Sequence, residues 1–223
     1  DVGETITVTA SYTDDQGTSE SVASSATSAV ANVNDDPTGS VTISGTATQG
    51  ETLTASNTLA DADGLGTITY TWSNSATGSS ITLGQGDVGE TITVTASYTD
   101  DQGTSESVAS SATSAVENVN DDPTGSVTIS GTATQGETLT ASNTLADADG
   151  LGTITYTWSN SATGSSITLG QGDVGETITV TASYTDDQGT SESVASSSTS
   201  AVENVNDDPT GSVTISGTAT QGE

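Results

Sequence analysis

The chain has 223 residues, of which 30 are Asp or Glu and none is Lys, Arg or His, so its formal net charge is −30. No salt bridge between side chains can form, and binding to nucleic acid or an anionic membrane surface is excluded because no cation can meet a phosphate. The absence of Cys, His and Lys also excludes thiolate and zinc–sulfur sites, the usual general bases near neutral pH and lysine isopeptide crosslinks.

The sequence repeats almost perfectly. The run DVGETITVTASYTDDQGTSESV begins at Asp1, Asp87 and Asp173, a spacing of 86 residues. Overlapping copies differ only at Ala31, which aligns with Glu117 and Glu203, and at Ser198, which aligns with Ala26 and Ala112. This period is longer than that of solenoid repeats and matches a small domain that folds by itself.

Each NDDP segment predicts a linker, because Pro after two acidic residues favours an extended, poorly pairing backbone. Boundaries at Asp35, Asp121 and Asp207 give two complete domains, 35–120 and 121–206. Residues 1–34 are then the second half of a domain, and 207–223 the first strand of another. We therefore expect a window from a longer array, in which any targeting signal lies elsewhere.

Within 121–206 the apolar residues alternate with Thr and Ser, which is typical of half-buried strands. The predicted strands, in chain order, are SVTISG (Val127, Ile129), TLTASNTL (Leu139, Ala141, Leu145), TITYTWS (Ile154, Tyr156, Trp158), SSITLG (Ile167, Leu169), TITVTASYT (Ile178, Val180, Ala182, Tyr184) and SESVASSSTSAV (Val194, Val202). Gly, Asp and Asn between them indicate turns. No segment has helical spacing. We predict an all-β fold, an antiparallel two-sheet sandwich in each repeat.

The strand order, taken as six or seven short strands, resembles the immunoglobulin-like fold, with a Trp in the third strand and DVGETI preceding the sixth. Asp173 and Gly175 match that family's Asp-x-Gly motif, but Thr177 and Thr179 replace its Tyr and Cys. We therefore expect no tyrosine corner. The many outward Thr residues are interpreted as strand formers. The alternative is a threonine array that binds ice or carries O-glycans.

The acidic residues of a sandwich with this topology gather at its two poles. The linker before the domain, the DADG loop and the TDDQGTSE loop all lie at the N-terminal pole. The candidate ligands there are Asn34, Asp35, Asp36, Asp61, Asp63, Asp100 and Asp101 in the first domain, Asn120, Asp121, Asp122, Asp147, Asp149, Asp186 and Asp187 in the second, and Asn206, Asp207 and Asp208 in the following linker. Glu192 is a further candidate. Candidates at the opposite pole are Glu51, Asp87 and Glu90, then Glu137, Asp173 and Glu176.

This oxygen-only set predicts Ca²⁺ sites. Ca²⁺ takes six to eight oxygen ligands, whereas Mg²⁺ retains its waters and fits protein-built cages less well. Carboxylates about 4 Å apart repel by about 1 kcal/mol in water and about 4 at intermediate dielectric. We expect neighbouring sandwiches to share ions that hold the joint together. The alternative is that these residues only form turns and keep the array soluble. Glu117 is not a predicted ligand, because the equivalent position in the preceding copy is Ala31, which has no carboxylate.

VNDDP resembles the cadherin interdomain linker, with Asn118 or Asn204 in place of its leading acid, and DADG resembles that family's Asp-x-Asp motif. The whole 86-residue unit resembles the tandem Ig-like and cadherin-like repeats of giant bacterial surface adhesins, many of them RTX-type proteins exported by type I secretion. The resemblance implies a calcium-stiffened, extracellular extender that holds a distal binding domain away from the cell during attachment or biofilm formation. Its partners would be calcium ions and neighbouring repeats.

Two other function classes compete with the spacer. A binding module would contact glycans, ice or identical chains, or assemble into a filament, with avidity from the array. Its Trp and Tyr residues are predicted to face inward, which disfavours glycans. An enzyme with paired carboxylates, as in glycosidases, is disfavoured because the acids lie at the poles and no aromatic platform accompanies them.

Overall fold

The computed structural model describes residues 1–222 as strands and turns. The strands are β1 (Thr9–Thr13), β2 (Ser19–Ala23), β3 (Val41–Ser44), β4 (Thr52–Asn57), β5 (Thr69–Trp72), β6 (Ser80–Thr82), β7 (Val94–Thr99), β8 (Ser105–Ala109), β9 (Val127–Ser130), β10 (Thr138–Asn143), β11 (Thr155–Trp158), β12 (Ser166–Thr168), β13 (Val180–Thr185) and β14 (Ser191–Ala195). Short 3-10 turns occupy Gln85–Asp87 and Gln171–Asp173. The chain divides into two compact units, one from Asp1 to Val119 and one that begins at Asn120.

Residues 35–120, here called the first repeat, and residues 121–206, the second repeat, each contain two three-stranded sheets. In the second repeat the orders are β12-β10-β9 and β11-β13-β14, and in the first β6-β4-β3 and β5-β7-β8. All these pairings are antiparallel. Strand β9 packs against β13 of the other sheet, as β3 does against β7. The predicted all-β two-sheet sandwich is confirmed.

The core of each repeat is built by the period-two pattern. In the second repeat Leu139 and Val180 are fully buried, and Trp158 is 2 % exposed with its indole N–H donating to the Gly164 carbonyl at 2.8 Å. Ile154 and Tyr156 are half-buried and pack against this core. Burying one Leu or Val side chain contributes about 1.5–3 kcal/mol. The predicted inward residues therefore form the core.

The last predicted strand is interrupted. Strand β14 ends at Ala195, although the apolar pattern continues to Val202. The reason is hydroxyl competition: Ser196 Oγ accepts from the Val180 amide and Thr199 Oγ1 from the Ile178 amide, both at 3.0 Å. Local side-chain bonds of this kind replace ladder bonds. Pairing resumes at Ala201 and Val202, so Val202 is still buried in the core of the second repeat.

The flanking segments carry the same residues without the same burial. Val22 in β2 is 71 % exposed and Val213 is 98 % exposed, whereas Val127, the equivalent of Val213, is 4 % exposed. The two buried clusters lie within 41–116 and 127–202. The exact domain boundaries stay a prediction.

Candidate metal centre

The acidic pole of the second repeat consists of three segments: the linker at 120–122, the loop 147–150 between β10 and β11, and the loop 186–190 between β13 and β14. The first loop is folded by its own acid, because Asp147 Oδ1 accepts the Asp149 amide at 2.9 Å. Gly150 follows with φ +100°, and a Cβ there would collide with the carboxylate of Asp187. Glycine is therefore required where the two loops touch.

The second loop is folded in the same way. Asp186 Oδ1 accepts the backbone amides of Gln188 and Thr190 at 2.9 and 2.7 Å, which closes a tight turn between β13 and β14. Asp and Asn favour such turns because the short side chain reaches backbone amides a few residues on. The other oxygen of Asp186, Oδ2, is directed away from these donors. The turn therefore uses only Oδ1 of Asp186 and makes no hydrogen bond to Oδ2.

The linker and both loops are joined by direct hydrogen bonds. The Asp121 amide donates to Asp149 Oδ2 at 2.7 Å, and the Asn120 side chain donates to Glu192 Oε1 at 2.9 Å. The Asp187 amide donates to the Asp149 carbonyl at 3.1 Å. The structure thus brings together the three segments that sequence reasoning assigned to one pole.

Two carboxylates at this pole are buried without complete hydrogen bonding. Asp149 is 2 % exposed and Asp186 is 5 % exposed. Asp149 Oδ1 and Asp186 Oδ2 are buried oxygens with no hydrogen-bond partner. A buried ionised oxygen without a donor costs several kcal/mol or more. The chain has no cationic side chain that could lie beside these oxygens, and a bound cation would offset this cost.

The first repeat has an equivalent acidic pole. The Asp35 amide donates to Asp63 Oδ2 at 2.7 Å, and Asn34 donates to Glu106 at 2.8 Å. Asp100 is 5 % exposed and its Oδ2 has no partner. Asp63, in contrast to Asp149, is only half-buried. The contacts recur with the sequence, so they belong to the repeat itself.

The remaining candidates of the acidic poles and of the following linker are exposed side chains. Exposed residues are Asp36, Asp101, Asp122, Asp187, Asn206, Asp207 and Asp208. Among residues 1–222, no group of three or more acidic side chains is placed to hold a metal ion. The structure therefore places a buried, partly unpaired pair of carboxylates beside acids that remain solvated.

At the opposite pole the acids serve their own repeat. Asp173 accepts from Asn160 Nδ2 at 3.0 Å with one oxygen and from the Gly170 amide at 2.8 Å with the other, and so caps the 3-10 turn. Asp87 makes the same two contacts. The glutamates of this pole, Glu51, Glu90, Glu137 and Glu176, are exposed. That these residues ligate a metal stays a prediction.

Sequence reasoning missed Gln135, which lies two residues before Glu137. The exit linker of the second repeat is defined as residues 203–208. Gln135 Oε1 accepts the Val205 amide at 3.2 Å, and Gln135 Nε2 donates to Asp207 Oδ2 at 3.1 Å. Gln135 was missed because only charged residues were considered as linker contacts, and no sequence motif distinguishes this glutamine from others.

Tyr184 is the second residue that sequence reasoning did not place at the site. Its hydroxyl donates to Asp147 Oδ2 at 2.5 Å, and the ring is 5 % exposed. Burial, followed by the hydrogen bond and the negative charge of Asp147, raises the pKa of Tyr184 far above its ordinary value. Tyr98 bonds Asp61 and its pKa is raised for the same reasons. Both phenols therefore act as neutral donors to loop acids.

We expect this to make the chain sensitive to alkali. The folded state favours the protonated phenol, so its contribution is present below the usual tyrosine pKa of about 10 and is lost as pH rises above it. With no Lys, Arg or Cys, only Tyr side chains titrate in this range beyond the N-terminus. The melting temperature should fall steeply from pH 9 to 12.

The double variant Tyr98→Phe and Tyr184→Phe should have a lower melting temperature than the wild type at pH 8, because each ring loses its hydrogen bond to a loop acid. Its melting temperature should fall less than that of the wild type above pH 10. Tyr12→Phe is the control, since that ring is 63 % exposed. Parallel pH profiles for the wild type and the double variant would contradict this account.

Comparison with known proteins gives a likeness to solved structures alone. No protein-family model matches the chain, and no curated protein matches it. Among solved structures, the chain is similar to a crystal structure of a tetra-tandem repeat in the extending region of a large adhesion protein, at 20 % identity and a TM-score of 0.30. The match covers 90 % of this chain, which spans 57 % of that protein. Across residues 1–222 no helix has the length and apolarity that crossing a membrane requires.

Proposed function

We propose that this chain is part of a calcium-stiffened extender of a large bacterial surface adhesin, placed outside the cell, where it holds a distal binding domain away from the surface. The observation that carries the proposal is the set of buried carboxylate oxygens without hydrogen-bond donors at the acidic poles: Asp149 Oδ1 and Asp186 Oδ2 in the second repeat and Asp100 Oδ2 in the first. Near-identical copies suit a spacer, which needs length and not a different surface in each domain.

The donor atoms at the acidic pole fit calcium. They are carboxylate, amide and carbonyl oxygens, with no nitrogen or sulfur ligand available in the chain, and Ca²⁺ prefers such hard oxygen ligands. Asp149 and Asp186 would hold the ion, and the solvated Asp122 and Asp187 would have to turn toward it. When bound, the ion supplies the positive charge that the side chains lack.

The chain's own residues prepare this pole for an ion. Hydrogen bonds from Asp121 to Asp149 and from Asn120 to Glu192 fasten the linker to the first loop and to strand β14. Gly150 lets the two loops approach. Tyr184 holds Asp147 with a neutral hydroxyl and so adds no competing charge. An ion bound here would link the linker to both loops and restrict its motion. Extracellular modules bind calcium at about 10⁻⁴ to 10⁻³ M, which matches loading outside cells.

Small-angle scattering with and without chelator tests the proposal. In millimolar calcium we expect a longer maximum dimension and a stiffer profile than in chelator, because unneutralised acids at the joints loosen the linkers. Calorimetric titration of the same sample should show calcium binding at least once per complete repeat. Scattering profiles that overlay in the two conditions, with no heat of binding, would end the proposal.

The alternative, that a repeat itself binds a glycan, ice or an identical chain, receives less support. Trp72 and Trp158 are each 2 % exposed, so the indole rings are part of the core and offer no stacking surface. A glycan array and an ice-recrystallisation assay on this chain would separate the two functions.

A further inference from the structure

We infer that Gln135 is a latch that holds the exit linker against the second repeat without any metal ion. All three polar groups of this residue that can reach the linker are used. Its backbone amide donates to the Glu203 carbonyl at 2.9 Å, its side-chain oxygen accepts from Val205, and its side-chain nitrogen donates to Asp207. Gln135 therefore bonds every second residue of the linker, at Glu203, Val205 and Asp207.

The latch is built on a paired backbone. The Glu203 amide donates to the Ala133 carbonyl at 2.9 Å, and Thr134 and Glu203 form a parallel bridge. This pairing places Gln135 beside the linker just after the last core residue, Val202, which is 3 % exposed. Gln135 itself is half-buried. Its side chain thus extends a short parallel pairing by two residues, into a segment that has no partner strand.

The same arrangement recurs in the first repeat. The Gln49 amide donates to the Glu117 carbonyl at 2.9 Å, and Gln49 Oε1 accepts the Val119 amide at 3.2 Å. The Glu117 amide donates to the Ala47 carbonyl at 2.9 Å. In both repeats, therefore, a glutamine side-chain oxygen accepts the backbone amide of the Val in the Glu-Asn-Val segment.

Glutamine suits this role because it is neutral and carries both a donor and an acceptor. A glutamate could not donate to Asp207 and would add a like charge beside it. None of these contacts uses an ion, so we infer that the start of the exit linker stays in place when calcium is removed. Asp207, a predicted ligand of the next acidic pole, is thereby positioned by the preceding repeat. The latch goes beyond the proposed function and does not require calcium to be the ion.

Amide hydrogen exchange in chelator tests the latch. Fragments that contain residues 112–121 and 198–207 can be told apart by mass, because Ala112 and Ser198 differ. In the wild type we expect protection at Val119 and Val205 that is the same in chelator and in calcium. Gln135→Ala should speed exchange at Val205 at least tenfold and leave Val119 unchanged, and Gln49→Ala should do the reverse.

Gln188→Ala is the control for glutamine removal elsewhere, since residue 188 is exposed in the loop after β13. Melting curves establish that each variant is folded. Two results would overturn the latch: loss of Val205 protection in the wild type on chelation alone, or equal protection in Gln135→Ala and the wild type. Either can occur whether or not calcium binds, so failure of the latch is distinct from failure of the proposed function.

Discussion

Chelation of calcium is expected to lower the melting temperature of the chain by about 10–20 °C. With a dissociation constant of about 10⁻⁴ M and 10 mM calcium, one site stabilises the folded state by about 2.7 kcal/mol. For a domain of this size, 1 kcal/mol shifts the melting temperature by about 4–8 °C. The origin is the unneutralised charge at the acidic poles, where Asp149 and Asp186 each keep a buried oxygen without a donor.

Differential scanning calorimetry in calcium and in chelator measures this shift. Sodium chloride at matched ionic strength controls for screening, which is general for a chain of net charge −30. Magnesium at the same concentration controls for divalent charge and should recover less than half of the shift. Equal melting temperatures in calcium and in sodium chloride would show that the acids only repel one another and bind nothing.

When the two buried acids of the second repeat are replaced, the order in which the two repeats melt should differ between chelator and calcium. In Asp149→Asn with Asp186→Asn, the second repeat loses two buried charges but keeps an oxygen on each side chain for the amides of Asp121, Gln188 and Thr190. In chelator this repeat should gain about 1–3 kcal/mol, because the unpaired group is then a neutral amide, whose burial costs less than that of an ionised carboxylate oxygen. Addition of calcium should not stabilise this repeat further, whereas it should stabilise the first repeat, which keeps its acids.

The first repeat is the internal reference in the same molecule, and hydrogen exchange on fragments marked by Ala112 or Ser198 identifies which repeat opens first. The variant repeat should open last in chelator and first in calcium. Glu117→Gln with Glu203→Gln is the matched control for the loss of two charges. Both of these side chains are exposed, and Ala31 shows that the position tolerates neutral residues. A calcium response that persists unchanged in the second repeat would remove Asp149 and Asp186 from the site.

The fold was predictable because its signals are local and repeated. Alternation placed Leu139, Val180 and Trp158 on one face of their strands, and the structure buries all three. The break in the last strand was not predictable from alternation, because Ser196 and Thr199 fit an outward strand position as well as a hydroxyl-to-amide bond. Which of the two forms depends on the position of β13 beside them.

The sequence predicted which segments form the acidic pole, but not which of the acidic residues are buried or already hydrogen-bonded. Strand order alone requires the linker and the two loops to lie at one end of the sandwich, and the contacts of Asp121, Asp149 and Asp187 agree. At the other pole, sequence pattern could not distinguish a solvated glutamate from an acid such as Asp173, which is already satisfied by Asn160 and Gly170. Both are simply acidic residues in turns.

The amino-acid sequence by itself determined the repeat length, the alternating core, the absence of any compensating cation and the grouping of acids at the poles, because each follows from residue type and spacing. Only the tertiary structure decided which oxygens lack a donor and that the side chain of Gln135 bonds the exit linker. Those outcomes depend on distances between segments far apart in the chain. Such distances are set by how the two sheets pack and by where each loop leaves them.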